Sequence, residues 1–151
     1  MLIRQLQDSD VPAVASLLRQ QALDFILHES TPEGRATFLR ENDEEGIRRL
    51  LGAGMCYHVA IEDEALVGFV AVRDAHHLFH MFVDARWHRR GVGRRLWEVA
   101  RKAALEAGGG GEFTVNASNY AVPVYEALGF TRSAPTQCAK GLLYNPMRIL
   151  P

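Results

Sequence analysis

A mixed α/β domain with a mostly antiparallel central sheet is the fold the sequence predicts, on three observations. Stretches with a two-residue apolar alternation are interleaved with stretches of helical periodicity. Three of the strand-like stretches follow one another between residues 57 and 83 with only short turns between them. Helices both precede and follow that run, which excludes a doubly wound parallel sheet. At 151 residues the whole chain, 1–151, reads as a single domain able to bury a sizeable core.

In chain order, "LIRQL" alternates and predicts a short first strand. Asp10 is placed to cap a helix with Pro12 in its first turn, and Val11, Val14, Leu18, Ala22 and Phe25 recur at helical spacing. Residues 32–51 form a weaker helical stretch, broken near Glu41–Glu45 and closed by Gly52. Tyr57, Val59 and Ile61 alternate, "EDEA" turns, and "ALVGFVAV" runs apolar as a buried strand does. "HHLFHMFV" is a further, aromatic-rich strand. The helix after Gly93 carries Leu96, Val99 or Ala100, and Ala103 on one face and stops at the glycines of 108–111. "EFTVN" is a strand, 120–128 a short helix ended by Gly129, and 130–139 with 141–149 a closing strand pair.

Composition narrows the function. Hydrophobic residues at 48% and charged residues at 23% are ordinary for a globular protein, and a net charge of −1 argues against a general nucleic-acid binder. Arginine supplies fifteen of the seventeen basic residues, a bias that carries no weight here. Two cysteines, Cys56 and Cys138, form no framework and no metal-binding spacing, which points to a reducing cytoplasm. The beginning "MLIRQLQDSDVP" lacks the apolar stretch of a signal peptide, and no apolar run approaches membrane-spanning length, so no membrane association is expected.

Against that neutral background, "WHRRGVGRRL" at 87–96 crowds four arginines and two glycines into the mouth of a helix. Glycines there let a ligand approach the backbone, and the unpaired amides and positive end of a helix suit a phosphate. Arginines beside them add charge-assisted bonds. A solvated basic loop explains the stretch equally well in isolation. RNA binding would need interleaved aromatics, and only Trp87 is present. There is no GxxxxGK[ST], and "GVGRRL" lacks the third glycine of a dinucleotide fingerprint. A second segment, "NASNYAVPVYEALGF" at 116–130, offers Asn119 for hydrogen bonding and Tyr125 in mid-helix. It too has a plain reading, with Asn119 capping the helix and Tyr125 packing.

Together the two segments resemble the GNAT superfamily of N-acetyltransferases. The family's acetyl-coenzyme A motif is Gln or Arg, two residues, Gly, one residue, Gly or Ala; here it reads His88-Arg89-Arg90-Gly91-Val92-Gly93, with His88 departing at the first position. The later family pattern is matched by Asn119, Ala121, Tyr125, Gly129 and Phe130. The resemblance covers nearly the whole chain and implies helices on both faces of the sheet, with the strands parted where the thioester sits. It implies acetyl transfer from acetyl-coenzyme A to a primary amine by direct attack, with no metal. Backbone groups of Phe82 and Val83 would hold the pantetheine arm, the amides from Arg89 to Arg94 the pyrophosphate, and Asn119 the arm further along. Tyr125 would be the general acid. The acceptor would be a small molecule or peptide amine, and dimers are frequent in the family. A non-catalytic acyl-coenzyme A binding or sensor module is the alternative.

His76, His77 and His80 crowd one strand. Alternation sends His77 to the face opposite His76 and His80, and the latter two stand about 13 Å apart at strand rise, too far for one ion. By the resemblance His77 falls where some members carry a glutamate base, and a β-bulge would make His80 the candidate instead. Ordered water is the competing base. Residues 29–45 carry six acids against two arginines, which favours a cationic acceptor or is only a solvated face.

Overall fold

The computed structural model describes residues 1–151. The strands are β1 (Leu2–Gln5), β2 (Cys56–Glu62), β3 (Ala65–Arg73), β4 (His77–Val83), β5 (Phe113–Ala117), β6 (Thr131–Arg132), β7 (Gln137–Ala139) and β8 (Leu142–Ile149). The helices are α1 (Val11–Phe25), α2 (Pro32–Glu41), α3 (Glu44–Gly52), α4 (Val92–Glu106) and α5 (Val122–Ala127). One sheet runs β1-β2-β3-β4-β5-β8-β6, with β7 also on β8, and every pairing is antiparallel except β4 with β5. The mixed, mostly antiparallel fold expected from the sequence is present. No helix is long and apolar enough to cross a membrane.

The alternating strands give the sheet two apolar faces, and each is covered. On one, Val70, Val72 and Leu78 meet Leu96, Trp97 and Ala100 of α4, with Tyr125 and Phe130 extending the cluster. On the other, Val59, Phe69 and Ala71 meet Val11, Val14 and Leu18 of α1 and Ile47 of α3. The buried face of α4 is Val92, Leu96, Trp97, Ala100 and Ala104, so Trp97 belongs to it and Ala103 stands at its margin.

Local signals settle where several elements begin. Thr31 caps α2 by accepting from Gly34 N at 3.0 Å, and Asp43 caps α3 by accepting from Gly46 N at 2.8 Å, which produces the break expected near 41–45. Asp10 does not cap α1. Its carboxylate is held by Arg4 at 2.7 and 3.1 Å and by Gln7 N at 2.7 Å, and the Arg4 guanidinium keeps it below the usual carboxylate range. The strand expected over 130–139 is two short pieces, because residues 133–136, with Pro135 among them, leave the β8 ladder.

Candidate active site

Strand β4 pairs with β5 only at His77–Thr114 and Leu78–Val115, and beyond that point the two strands part. The cause lies in β4 itself. Its register on β3 passes from Ala71–His80 to Val72–Leu78, so Phe79 is an extra residue, and a bulge of this kind bends the strand and sharpens its twist. A cavity of about 610 Å³ opens in the gap. Met81, Phe82 and Val83 form one wall, with the backbone edge of β4 unpaired on that side. The loop before α4 and its first turn form one end, through His88, Arg89, Gly91, Val92 and Gly93. The opposite wall is Ser118, Tyr120, Ala121 and α5, including Tyr125, and the end of α1 roofs the space with Gln21, Phe25 and Ile26.

At the loop end, Arg95 N bonds Gly91 O at 3.1 Å, and none of the amides from Arg89 to Arg94 has a well-formed protein acceptor. Gly91 at φ 80° and Arg89 at φ 62° are both left-handed, and alternating handedness of this sort turns successive amides toward one point. With the positive pole of a fifteen-residue helix behind them, they suit a diphosphate. Most of the surrounding arginines are occupied: Arg86 pairs with Asp84 at 3.0 Å, Arg90 lies over Trp87 at 5.1 Å, and Arg94 donates to Ala127 O at 2.8 Å. Arg90 and Arg94 therefore stand outside the cavity lining, whereas Arg89 is part of it. His88 Nε2 donates to Val83 O at 2.7 Å and ties the loop to β4, which fixes its tautomer.

At the other end, Tyr125 is 5% exposed, with its ring edge-on to Phe130 at 5.7 Å. Its hydroxyl has no hydrogen-bond partner in the chain, yet it is not among the sealed orphans, which are Tyr57 Oη and Arg101 Nε, so it opens on the cavity. Burial raises its pKa above the ordinary tyrosine value, and it holds its proton through neutral pH. Asn119 is absent from the cavity wall. Its Oδ1 accepts from the fully buried Asn145 at 2.9 Å and its Nδ2 donates to Glu29 Oε2 at 3.1 Å. Ser118, not Asn119, caps the following turn by accepting from Ala121 N at 3.2 Å.

The bulge at Phe79 sets His77 and His80 on the same face, correcting the simple alternation. His80 Nε2 donates to Asn42 Oδ1 at 3.0 Å, and its ring lies against Phe38, Phe79 and Phe82. His77 Nδ1 lies 2.7 Å from Thr114 Oγ1. Burial pulls His77 down to about 4, helped by Arg73 and His76, and His80 down to about 3, helped by His77. Neither lines the cavity. His76 is exposed, and no group of three His, Cys, Asp or Glu side chains converges anywhere. The acidic residues Glu33 and Glu41 line a separate polar groove with Thr31, Thr37 and Lys140.

Sequence reasoning missed the α1 contribution. The available signal was Gln21, one polar residue in the otherwise apolar stripe Val14, Leu18, Gln21, Phe25.

Comparison with known proteins agrees with this geometry. The family described as acetyltransferase (GNAT) domain matches residues 26–151. No curated protein matches the sequence. A GCN5-related N-acetyltransferase from Rhodopseudomonas palustris has a similar structure, with TM-score 0.81 and 20% identity over 99% of this chain and 94% of that one. A PaiA N-acetyltransferase from Thermoplasma acidophilum, in complex with coenzyme A, gives 0.79 and 16% over 99% and 98%. A ribosomal-protein-alanine N-acetyltransferase from Brucella melitensis gives 0.74 and 19% over 99% of each chain. Parted β4 and β5 strands, open amides at the head of α4 and a family match over most of the sequence agree: the chain belongs to the GNAT acetyltransferase family.

Proposed function

We propose that the chain transfers an acetyl group from acetyl-coenzyme A to a primary amine by direct attack. The observation that carries this reading is one cavity joining the open amides of the α4 mouth to the Tyr125 hydroxyl, along the unpaired edge of β4. Acetyl-coenzyme A, when bound, supplies an activated acetyl thioester. The amides of residues 89–94 and Arg89 would hold its diphosphate, the free edge of β4 at Phe82 and Val83 its arm, and the apolar walls would exclude water. Tyr125 Oη keeps a proton to offer where negative charge develops on the departing sulfur. That the T. acidophilum neighbour was solved with coenzyme A supports the same reading.

His77 and His80 are better suited to hold the bulge than to take a proton. Each has a ring nitrogen engaged, neither lines the cavity, and bases of pKa about 4 and about 3 are poorly matched to an ammonium near 10. Proton loss then falls to ordered water. The six acids against two arginines of residues 29–45 support a cationic acceptor, whether a small molecule or a peptide amine.

The test is a panel of amines with acetyl-coenzyme A, followed by release of free thiol. Turnover with at least one primary amine is expected, with cations preferred. Tight coenzyme binding with no turnover on any amine would favour a sensor module instead.

A further inference from the structure

We propose that Gln21 is a ligand-binding residue of the cavity, its carboxamide gripping the secondary amides of the pantetheine arm from the α1 side. The assignment rests on the coenzyme A reading above. Gln21 occupies a core-facing position of α1, one turn before Phe25, where every neighbour in the stripe is apolar. Only 4% of the residue is exposed, and its carboxamide makes no hydrogen bond within the chain. It is also not a sealed orphan, so its polar atoms face the cavity it lines.

An unpaired buried amide destabilises a fold, and a helix position that wants Leu or Met gains nothing structural from Gln. The group makes sense only with a partner in the cavity. A carboxamide presents a donor and an acceptor side by side. A trans secondary amide offers its C=O and its N–H on opposite sides, so one such amide answers one half of the carboxamide, and two in succession answer both, one through its C=O and the other through its N–H. A thioester carbonyl offers only an acceptor and an ammonium only donors, so either would leave half of the carboxamide idle. The pantetheine arm carries two secondary amides and must run from the α4 mouth to Tyr125, past Met81 and Phe82, which share the cavity with Gln21.

Gln21→Met keeps length and apolar packing and removes the hydrogen bonds; Gln21→Leu is the second variant. Calorimetry with coenzyme A and with ADP, which has a diphosphate but no arm, separates the two ends of the site. The expected result is a loss of about tenfold or more in coenzyme A affinity, ADP affinity unchanged, and a melting temperature of the ligand-free protein equal to or above wild type. Unchanged coenzyme A affinity, an equal loss on ADP, or a lowered melting temperature in both variants would overturn the assignment. So would a raised KM for the amine with coenzyme A affinity intact, which would place Gln21 on the acceptor. If the wild type binds no coenzyme A, the parent reading falls as well; if it does and both variants match it, only the role of Gln21 falls.

Discussion

Tyr125 and Asn119 lie six residues apart in the sequence, and the fold treats them oppositely. The tyrosine hydroxyl is left unpaired at the cavity, while the asparagine is bonded on both sides to Asn145 and Glu29. That division was not legible in the sequence, because the partners of Asn119 come from 26 and 90 residues away. Gly91 at the α4 mouth was legible, because a left-handed residue at a helix start is a local demand. Two expectations belong at this scale. Tyr125→Phe keeps the ring against Phe130 and removes the donor, so it should retain coenzyme affinity and lose about 10²–10⁴-fold in kcat where chemistry limits the rate. Near-normal turnover would reduce Tyr125 to packing. Asn119→Ala should leave coenzyme A affinity within a few-fold while lowering stability, since the buried Asn145 Nδ2 loses one of its two acceptors and keeps only Ala117 O; calorimetry and a melt read the two separately.

At the scale of the element, the deciding feature is the bulge in β4. Strand alternation was readable in "HHLFHMFV", but a single inserted residue leaves the apolar pattern intact while rotating everything after it, so the face of His80 could only be posed as an alternative. The same bulge parts β4 from β5 and thereby makes the site. Its two histidines tie it to β5 through Thr114 and to Asn42, the residue that closes α2. Both are pulled below the ordinary histidine pKa, to about 4 and about 3, so the unfolded chain takes up protons near pH 6.5 that the fold refuses. Their contribution is therefore complete above pH 6.5 and lost as pH falls, toward 4 for His77 and toward 3 for His80. The melting temperature should drop across that window. In His80→Leu the drop should be smaller, although the variant starts lower because Asn42 Oδ1 loses its donor. A variant whose drop matches wild type would show that His80 is not held neutral.

Across the whole molecule, stability rests on two clusters back to back on one sheet, and the site lies at the seam where that sheet stops being continuous. Leu78 is fully buried at the last β4–β5 pairing, so Leu78→Ala should cost about 2–5 kcal/mol in urea unfolding, against less than about 0.5 for Leu143→Ala on an exposed face. The layering was legible because strand and helix periodicities survive averaging over many residues. The cavity was not, because it is formed by residues from α1, β4, α4 and α5 whose meeting is set by packing. The central claim is that this cavity takes coenzyme A through the α4 mouth. The most direct measurement is a calorimetric titration of coenzyme A into wild type and Gly93→Glu. A Cβ at Gly93 would stand 3.5 Å from Met81 Cε, so the glutamate side chain grows into the cavity toward the diphosphate, while an acid in the first turn of a helix favours the fold. The expected result is saturable binding by wild type and loss of at least about tenfold in the variant with an unchanged circular dichroism spectrum; no binding by wild type, or equal binding by both, would contradict it.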